Sequence, residues 1–125
     1  MDTDQLMDVD ATLMELGGDK TLLGKVADIF ARTAPNLLEL IHEALAAQDL
    51  KRAYGEAHSL KGAVGAFKAP KVFQCIADLA QHAREGNLAA AQNDFSAAQP
   101  LVKRLLDELA PIVSAARAAA GPRAR

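Results

Sequence analysis

The sequence predicts an all-α fold, an antiparallel up-down four-helix bundle with a short extra helix at the N-terminus. Apolar residues recur at spacings of three and four over several long segments, which is the period of an amphipathic helix. No stretch alternates as a half-buried strand would, and the chain is rich in alanine and leucine, with no tryptophan and one tyrosine. Because short turns separate the long segments, we expect consecutive helices to run in opposite directions.

The length indicates one domain with a core of its own. The chain has 125 residues, the size of one ordinary domain. We expect a flexible N-terminus at residues 1–8, the helical bundle at residues 9–118 and a disordered tail at residues 119–125. No uninterrupted apolar run approaches the roughly 20 residues of a membrane span. The acidic, polar start also differs from a secretory signal.

Charge and cysteine content narrow the classes of function. The chain has 14 Lys and Arg against 16 Asp and Glu, so no basic excess points to nucleic acid. The single cysteine, Cys75, has no partner for an internal disulfide, which fits a reducing compartment. We therefore expect a cytoplasmic protein, a monomer by default, with neither nucleic acid nor a membrane as its partner.

The first helix is short. Asp8 and Asp10 are both candidates for its N-cap, and the helix is expected to end at Leu16. The pair Gly17 and Gly18 stops it, since glycine favours the backbone conformation that closes a helix.

The second helix is the longest of the first half, from about Lys20 to Ala47, with Asp19 as its cap. Pro35 lies inside it and removes one backbone hydrogen bond. The apolar pattern keeps its phase across Pro35, so we expect a kink near residues 31–35 and not a break. The main stripe is Leu23, Val26, Phe30, Thr33, Leu37, Leu40 and Ala44.

Three more helices complete the bundle. The third is capped by Asp49 and runs from about Leu50 to Phe67. The fourth begins at Pro70, which suits a first helical turn, and ends near Glu85. The last runs from about Leu88 to Ala116.

One stretch of the third helix carries the candidate chemistry. On a helical wheel of ~100° per residue, His58 points away from the apolar stripe and into solvent. Lys61 follows at i+3 and Gly62 at i+4, so both neighbour His58, and Gly65 shares the same face. The apolar stripe on the opposite side is Ala53, Ala57, Leu60, Val64 and Phe67.

The two glycines require an explanation, because glycine inside a helix costs about 1 kcal/mol relative to alanine. Relief of crowding against a neighbouring helix is one explanation. However, Gly62 and Gly65 lie away from the apolar stripe, beside an exposed histidine. This position favours the second explanation, that a partner approaches the helix closely at this point.

An exposed imidazole next to a cation suits a phosphoryl acceptor. Near neutral pH, histidine provides a neutral nucleophilic nitrogen, and Lys61 would partly neutralise an N-phosphoryl group. The sequence shows no nucleotide-binding loop, no acidic cluster for Mg²⁺ and no second base for His58. The partner would have to supply them, so we expect a phosphocarrier and not an enzyme with ATP-dependent kinase activity.

These residues resemble the signature of histidine-containing phosphotransfer (HPt) domains of multistep two-component phosphorelays. The resemblance covers most of the chain, with one departure: many family members carry Leu-Glu where this chain has Leu79-Ala80. The signature here is His58-Ser59-Leu60-Lys61-Gly62-Ala63 after Ala57, with supporting matches at Leu16-Gly17-Gly18-Asp19, Ala47-Gln48-Asp49, Cys75-Ile76-Ala77-Asp78-Leu79 and Ala83-Arg84-Glu85-Gly86-Asn87.

The resemblance implies a phosphorelay intermediate in signal transduction. His58 would accept a phosphoryl group from the aspartate of one receiver domain and pass it to the aspartate of another, while Lys61 stabilises its charge. The implied partners are receiver domains of response regulators or of a hybrid histidine kinase. The chain would need no cofactor, since the receiver brings the Mg²⁺. We expect docking residues around His58, namely Gly62, Gly65, Tyr54 and Lys68.

Two other readings remain open. A helical docking module would bind a receiver or kinase domain without carrying phosphate. A metal- or cofactor-binding bundle ranks last, because paired inward Glu or His residues are not seen. His42 and His82 lack ligands at clear spacing and are expected at the surface or its boundary, with no metal. Cys75 is expected to be a buried or half-buried structural thiol. Tyr54 either flanks His58, contacts a partner or packs at the bundle edge.

Overall fold

A computed structural model describes residues 5–120 of the chain. Within this part the chain forms five helices and no strands, so the predicted all-α class is confirmed. The helices are α1 (Val9–Glu15), α2 (Lys20–Ala46), α3 (Leu50–Val64), α4 (Pro70–Arg84) and α5 (Leu88–Ala120).

The four long helices pack around one apolar core. Helix α2 contacts α3 and α5, and α4 contacts the same two helices, so each long helix has two long neighbours. The short α1 packs against α2. The predicted stripe from Ala53 to Phe67 faces inward and is almost completely removed from solvent. The stripe predicted for α2 is wrong in part, because Thr33 is exposed and Val26, Leu37 and Leu40 are only partly buried. The buried line of α2 passes instead through Ala27, Ala34, Leu38 and Ile41. Among the largest fully buried side chains are Phe30, Ile41, Leu60, Ile76, Leu79, Leu105 and Leu109.

Aspartates begin three of the helices, as the sequence predicts. The side chains of Asp8, Asp19 and Asp49 each accept a hydrogen bond from the backbone N–H three residues later, at 3.0, 3.0 and 3.1 Å. The choice between Asp8 and Asp10 is thereby settled for Asp8. Helix α4 begins at Pro70, whose fixed φ suits a first helical turn, and it has no side-chain cap because its N-cap residue is Ala69.

The predicted end of α3 at Phe67 is wrong, because the helix stops at Val64 and Gly65 is its C-cap. The N–H groups of Ala66 and Phe67 bond to carbonyls only three residues back, at 3.4 and 2.9 Å. This tighter turn carries Phe67 into the core, where its ring meets that of Phe30 edge-on with centroids 5.2 Å apart. Gly65 therefore ends the helix and does not lie inside it.

The two longest helices, α2 and α5, are each unbroken, as predicted for α2. Helix α2 runs unbroken through Pro35. Helix α5 reaches Ala120 instead of Ala116, since its last residues are mostly alanine, the strongest helix former. The remainder of the predicted tail, residues 121–125, lies outside the described residues. In the described part of the chain, no helix combines enough length and apolarity to cross a bilayer.

The N-terminal segment differs from the expected flexible start at residues 1–8. Residues 1–4 lie outside the described part, but Leu6 and Met7 are buried. Their N–H groups donate to the two carboxylate oxygens of Glu108 on α5, at 2.6 and 2.9 Å. Two buried side chains and two charge-assisted hydrogen bonds hold this segment against the bundle.

Candidate functional site

His58 lies on the outer face of α3, as the helical wheel predicts. Its neighbours Ala57 and Leu60 are completely buried, whereas His58 is exposed. Within residues 5–120 the imidazole nitrogens make no hydrogen bond or ion pair, and the ring has one stacking neighbour, Tyr54. A nitrogen lone pair of His58 is therefore available to an electrophile that comes from solvent.

Lys61 stands one turn after His58 and is half-buried. Side chains of a helix lean toward its N-terminus, so the Lys61 side chain leans toward the turn that carries His58. No carboxylate of residues 5–120 pairs with its ammonium group. The charge is therefore available to an anion near the imidazole.

Gly62 has no packing reason within its own chain. It is exposed, and a Cβ added to it would meet nothing within 4 Å. Crowding against a neighbouring helix therefore does not explain this glycine. A longer side chain at this position would lean toward the N-terminus and over His58, four residues earlier. The glycine leaves the space above the imidazole open.

Gly65, unlike Gly62, has neighbouring atoms where a Cβ would lie. A Cβ there would lie 3.4 Å from the carbonyl oxygens of Lys61 and Gly62, and 3.5 Å from Cε1 of Phe73 on α4. These are ordinary van der Waals contacts, so crowding does not account for this glycine either. Phe73 is 37% exposed and places an aromatic ring beside Gly65. Sequence analysis missed Phe73, although a phenylalanine one position off the buried stripe of α4 is a usable signal.

Gly55 is the other exposed glycine of α3, and sequence analysis did not single it out. A Cβ there would also meet nothing within 4 Å. It precedes His58 by three residues, so a side chain at this position would lean away from the imidazole. Gly55 and Gly62 therefore form a matched pair of open positions on the two sides of His58.

Lys68 lies in the turn between α3 and α4 and is tied to α1. Its ammonium group forms an exposed ion pair with Glu15 at 3.2 Å. Its backbone N–H donates to Oγ1 of the buried Thr12 at 2.8 Å, and its carbonyl accepts from the N–H of Asp8 at 2.7 Å. To bind a carboxylate of a partner, the ammonium group of Lys68 would therefore have to leave its ion pair with Glu15.

A second histidine pairs with a carboxylate across α4 and α5. Nδ1 of His82 lies 2.5 Å from a carboxylate oxygen of Asp94. This hydrogen bond is the largest effect and raises the pKa of His82. Desolvation opposes it, and the negative charges of Asp94, Glu85 and Asp78 raise the pKa further. The sequence did not reveal the pair, because its members lie on different helices. The acidic surroundings make His82 a poor place for a phosphoryl group.

Cys75 and His42 behave as expected from the sequence. Cys75 is a half-buried free thiol whose Sγ donates to the carbonyl oxygen of Asp94 at 3.7 Å. Burial, together with the nearby Asp94 and Asp78, raises the pKa of the thiol, so it stays protonated and unreactive. His42 is exposed and lies beside the ring of Phe95. Residues 5–120 contain no group of three side chains suited to a metal ion.

Comparison with protein families decides the family. The sequence model of the Hpt domain family matches residues 25–116, which is more than half of the chain. The chain belongs to the Hpt domain family. The match contains α3, α4 and most of α2 and α5, and therefore the face around His58. Neither the curated proteins nor the solved structures gave a significant match.

Membership defines the class of activity. Hpt domains take part in histidine phosphotransfer in two-component systems, and they are phosphocarriers and not kinases. They interact with receiver domains and kinases in phosphorelays. His58 lies within the matched residues.

Proposed function

We propose that this Hpt domain is a phosphorelay intermediate whose phosphoacceptor is His58. It takes a phosphoryl group from a receiver aspartate and passes it to an aspartate of a second receiver. The observation that carries the proposal is an exposed imidazole without a hydrogen-bond partner in residues 5–120, set beside Lys61 and the open space at Gly62.

The transfer is a displacement at phosphorus. The lone pair of one imidazole nitrogen of His58 forms the N–P bond, the bond from phosphorus to the aspartate oxygen breaks, and the carboxylate leaves with that electron pair. The second transfer is the reverse reaction on another receiver. Lys61 offsets the negative charge of the phosphoryl group as a mobile point charge. The receiver supplies the Mg²⁺ and most of the catalysis in this proposal, and no step requires ATP on this chain.

The docking surface is proposed to surround His58 on α3. Gly62 allows close approach, and Gly65 with the neighbouring Phe73 adds an apolar edge. The proposed surface also includes exposed apolar residues of α2, of which Leu22 and Ile29 are 39% and 53% exposed. Cations near both ends of α3 would speed association with an acidic receiver pocket more than they tighten it. These are the exposed side chains of Lys51, Arg52, Lys68 and Lys71.

The proposal also covers the direction of the helices, the partners, the location and the oligomeric state. The helices are taken to run up and down in alternation, because short turns join consecutive helices that pack on each other. The partners are receiver domains of response regulators or of a hybrid histidine kinase. The protein is proposed to act in the cytoplasm as a monomer.

The test measures transfer from phosphorylated receiver domains to the wild-type chain, to His58→Gln and to His42→Gln. His42 is the matched control because it is also an exposed helical histidine. We expect an acid-labile, base-stable phosphoramidate on the wild type and on His42→Gln, and none on His58→Gln. Label on all three proteins would place the acceptor elsewhere. Binding of receivers without label on any of them would support the docking module instead.

The role of Lys61 is tested by Lys61→Ala against Lys103→Ala, an exposed lysine of α5 outside the proposed docking surface. We expect the first variant to transfer more slowly or to lose its phosphohistidine faster, and the second to keep both properties. Equal rates and lifetimes in both variants would make Lys61 an ordinary surface lysine.

A further inference from the structure

Among residues 5–120 the imidazole of His58 has one ring neighbour, and it lies on the same helix. Tyr54 and His58 stack with ring centroids 5.6 Å apart and planes inclined by 28°. Their spacing of four residues allows this, because the side chain of His58 leans back over the turn that carries Tyr54. Such offset stacking is attractive between aromatic rings.

The two partners of the stack differ in burial. Tyr54 is half-buried and packs against the apolar core, whereas His58 is exposed. The core therefore holds the tyrosine ring from one side, and the tyrosine ring holds the imidazole. An exposed histidine without this support would exchange among several staggered rotamers.

We propose that Tyr54 is a positioning residue for His58 and not a docking contact. Its ring keeps the imidazole in one orientation before the receiver arrives, and it covers one face of the imidazole. This inference rests on the proposed function of His58 as phosphoacceptor. Its physical basis is pre-organisation, since a nucleophile already in the reactive orientation loses less freedom in the transition state.

The ring of Tyr54, and not its hydroxyl, carries this role. The hydroxyl group makes no hydrogen bond within residues 5–120, while the ring makes the stack. Phenylalanine would therefore replace Tyr54, and leucine would not, although leucine is apolar and a good helix former. A docking contact through the hydroxyl predicts the opposite result for phenylalanine.

The test is single-turnover transfer from a phosphorylated receiver, measured over a range of receiver concentrations for the wild type, Tyr54→Leu and Tyr54→Phe. The plateau rate reports the orientation of His58, and the half-saturating concentration reports docking. We expect Tyr54→Leu to lower the plateau by about two- to tenfold, the range that corresponds to an aromatic pair, with half-saturation unchanged. Tyr54→Phe should behave as the wild type.

A matched control is Phe73→Leu, which removes an exposed aromatic ring beside Gly65 without touching the stack. This variant should raise the half-saturating concentration and leave the plateau in place. The same pattern in Tyr54→Leu would make Tyr54 a docking residue and overturn the inference. A plateau rate for Tyr54→Phe as low as that of Tyr54→Leu would also overturn it, because the aromatic ring alone would then not orient His58.

A second readout does not involve phosphate. Proton NMR of the His58 ring should show an upfield ring-current shift in the wild type and in Tyr54→Phe, and its loss in Tyr54→Leu. If the wild type accepts phosphate on His58 but the three proteins share one plateau rate and one ring shift, the inference about Tyr54 fails alone. If the wild type accepts no phosphate on His58, the proposed function fails and the inference falls with it.

Discussion

The buried hydroxyl of Thr12 links α1 by a hydrogen bond to the turn that follows α3. Oγ1 donates to the carbonyl of Asp8 and accepts from the backbone N–H of Lys68, both at 2.8 Å, and Thr12 has no exposed surface. Thr12→Val keeps the β-branched shape and removes the hydroxyl. The substitution leaves the Lys68 N–H without its partner, next to the docking surface proposed around His58.

The size of the effect follows from these two hydrogen bonds. A partly buried N–H that loses its acceptor costs about 1–2 kcal/mol, and the bond to the Asp8 carbonyl contributes about 1 kcal/mol. We expect Thr12→Val to lower the free energy of unfolding by about 2–3 kcal/mol. For a chain of this length, that corresponds to a fall in melting temperature of about 6–15 °C.

Urea denaturation followed by circular dichroism measures this loss, and Thr33→Val provides the control. Thr33 is exposed, and its hydroxyl bonds only to the carbonyl of Ile29 in the same helix, at 3.0 Å. The identical substitution there should change the free energy of unfolding by less than about 0.5 kcal/mol. If the free energy of unfolding falls no further in Thr12→Val than in Thr33→Val, the Thr12 hydroxyl does not stabilise the contact between α1 and the turn.

Three further predictions concern the site, a pH effect and a turn. Gly62→Arg should slow transfer by about 10–100-fold because its side chain would lean over the imidazole, whereas Gly55→Arg should transfer normally; equal rates would refute the close approach. Asp94 raises the pKa of His82, so the stability from this pair is complete below the ordinary histidine pKa of about 6.5 and is lost as pH rises through the raised value. The loss of stability in Asp94→Asn should therefore be larger near pH ~5.5 than near pH ~9, and a loss of the same size at both would contradict this. Gln48 has a φ of +58°, so Gln48→Gly should raise the free energy of unfolding by about 1 kcal/mol in urea titration, and an unchanged or lower value would refute the strain.

The orientation of His58 could be predicted because it is a local property. Leu60 and Val64 define the buried side of α3, and the helical period then places His58 on the other side. The caps at Asp19 and Asp49 are local for the same reason, since each side chain bonds to an N–H three residues away. The Hpt resemblance rested on such local spacings, and the family match agrees with it.

The end of α3 could not be predicted from the same pattern. The apolar stripe continues in phase to Phe67, and Phe67 is buried, yet the helix stops at Val64. The position of Phe67 depends on the ring of Phe30, which comes from α2. A periodic pattern shows that a side chain is buried, but not whether a helix or a turn carries it into the core.

The contacts across helices were decided only in the tertiary structure. Glu108 binds the N–H of Leu6 from 102 residues away, and His82 meets Asp94 on the next helix. The sequence by itself determined the presence of the helices, the buried face of α3 and the exposed histidine, because these depend on dihedral preferences and on neighbours within one or two turns. Contacts between residues of different helices depend on how each helix is rotated and shifted along its axis relative to its neighbours. These positions are set by how all the core side chains fit together.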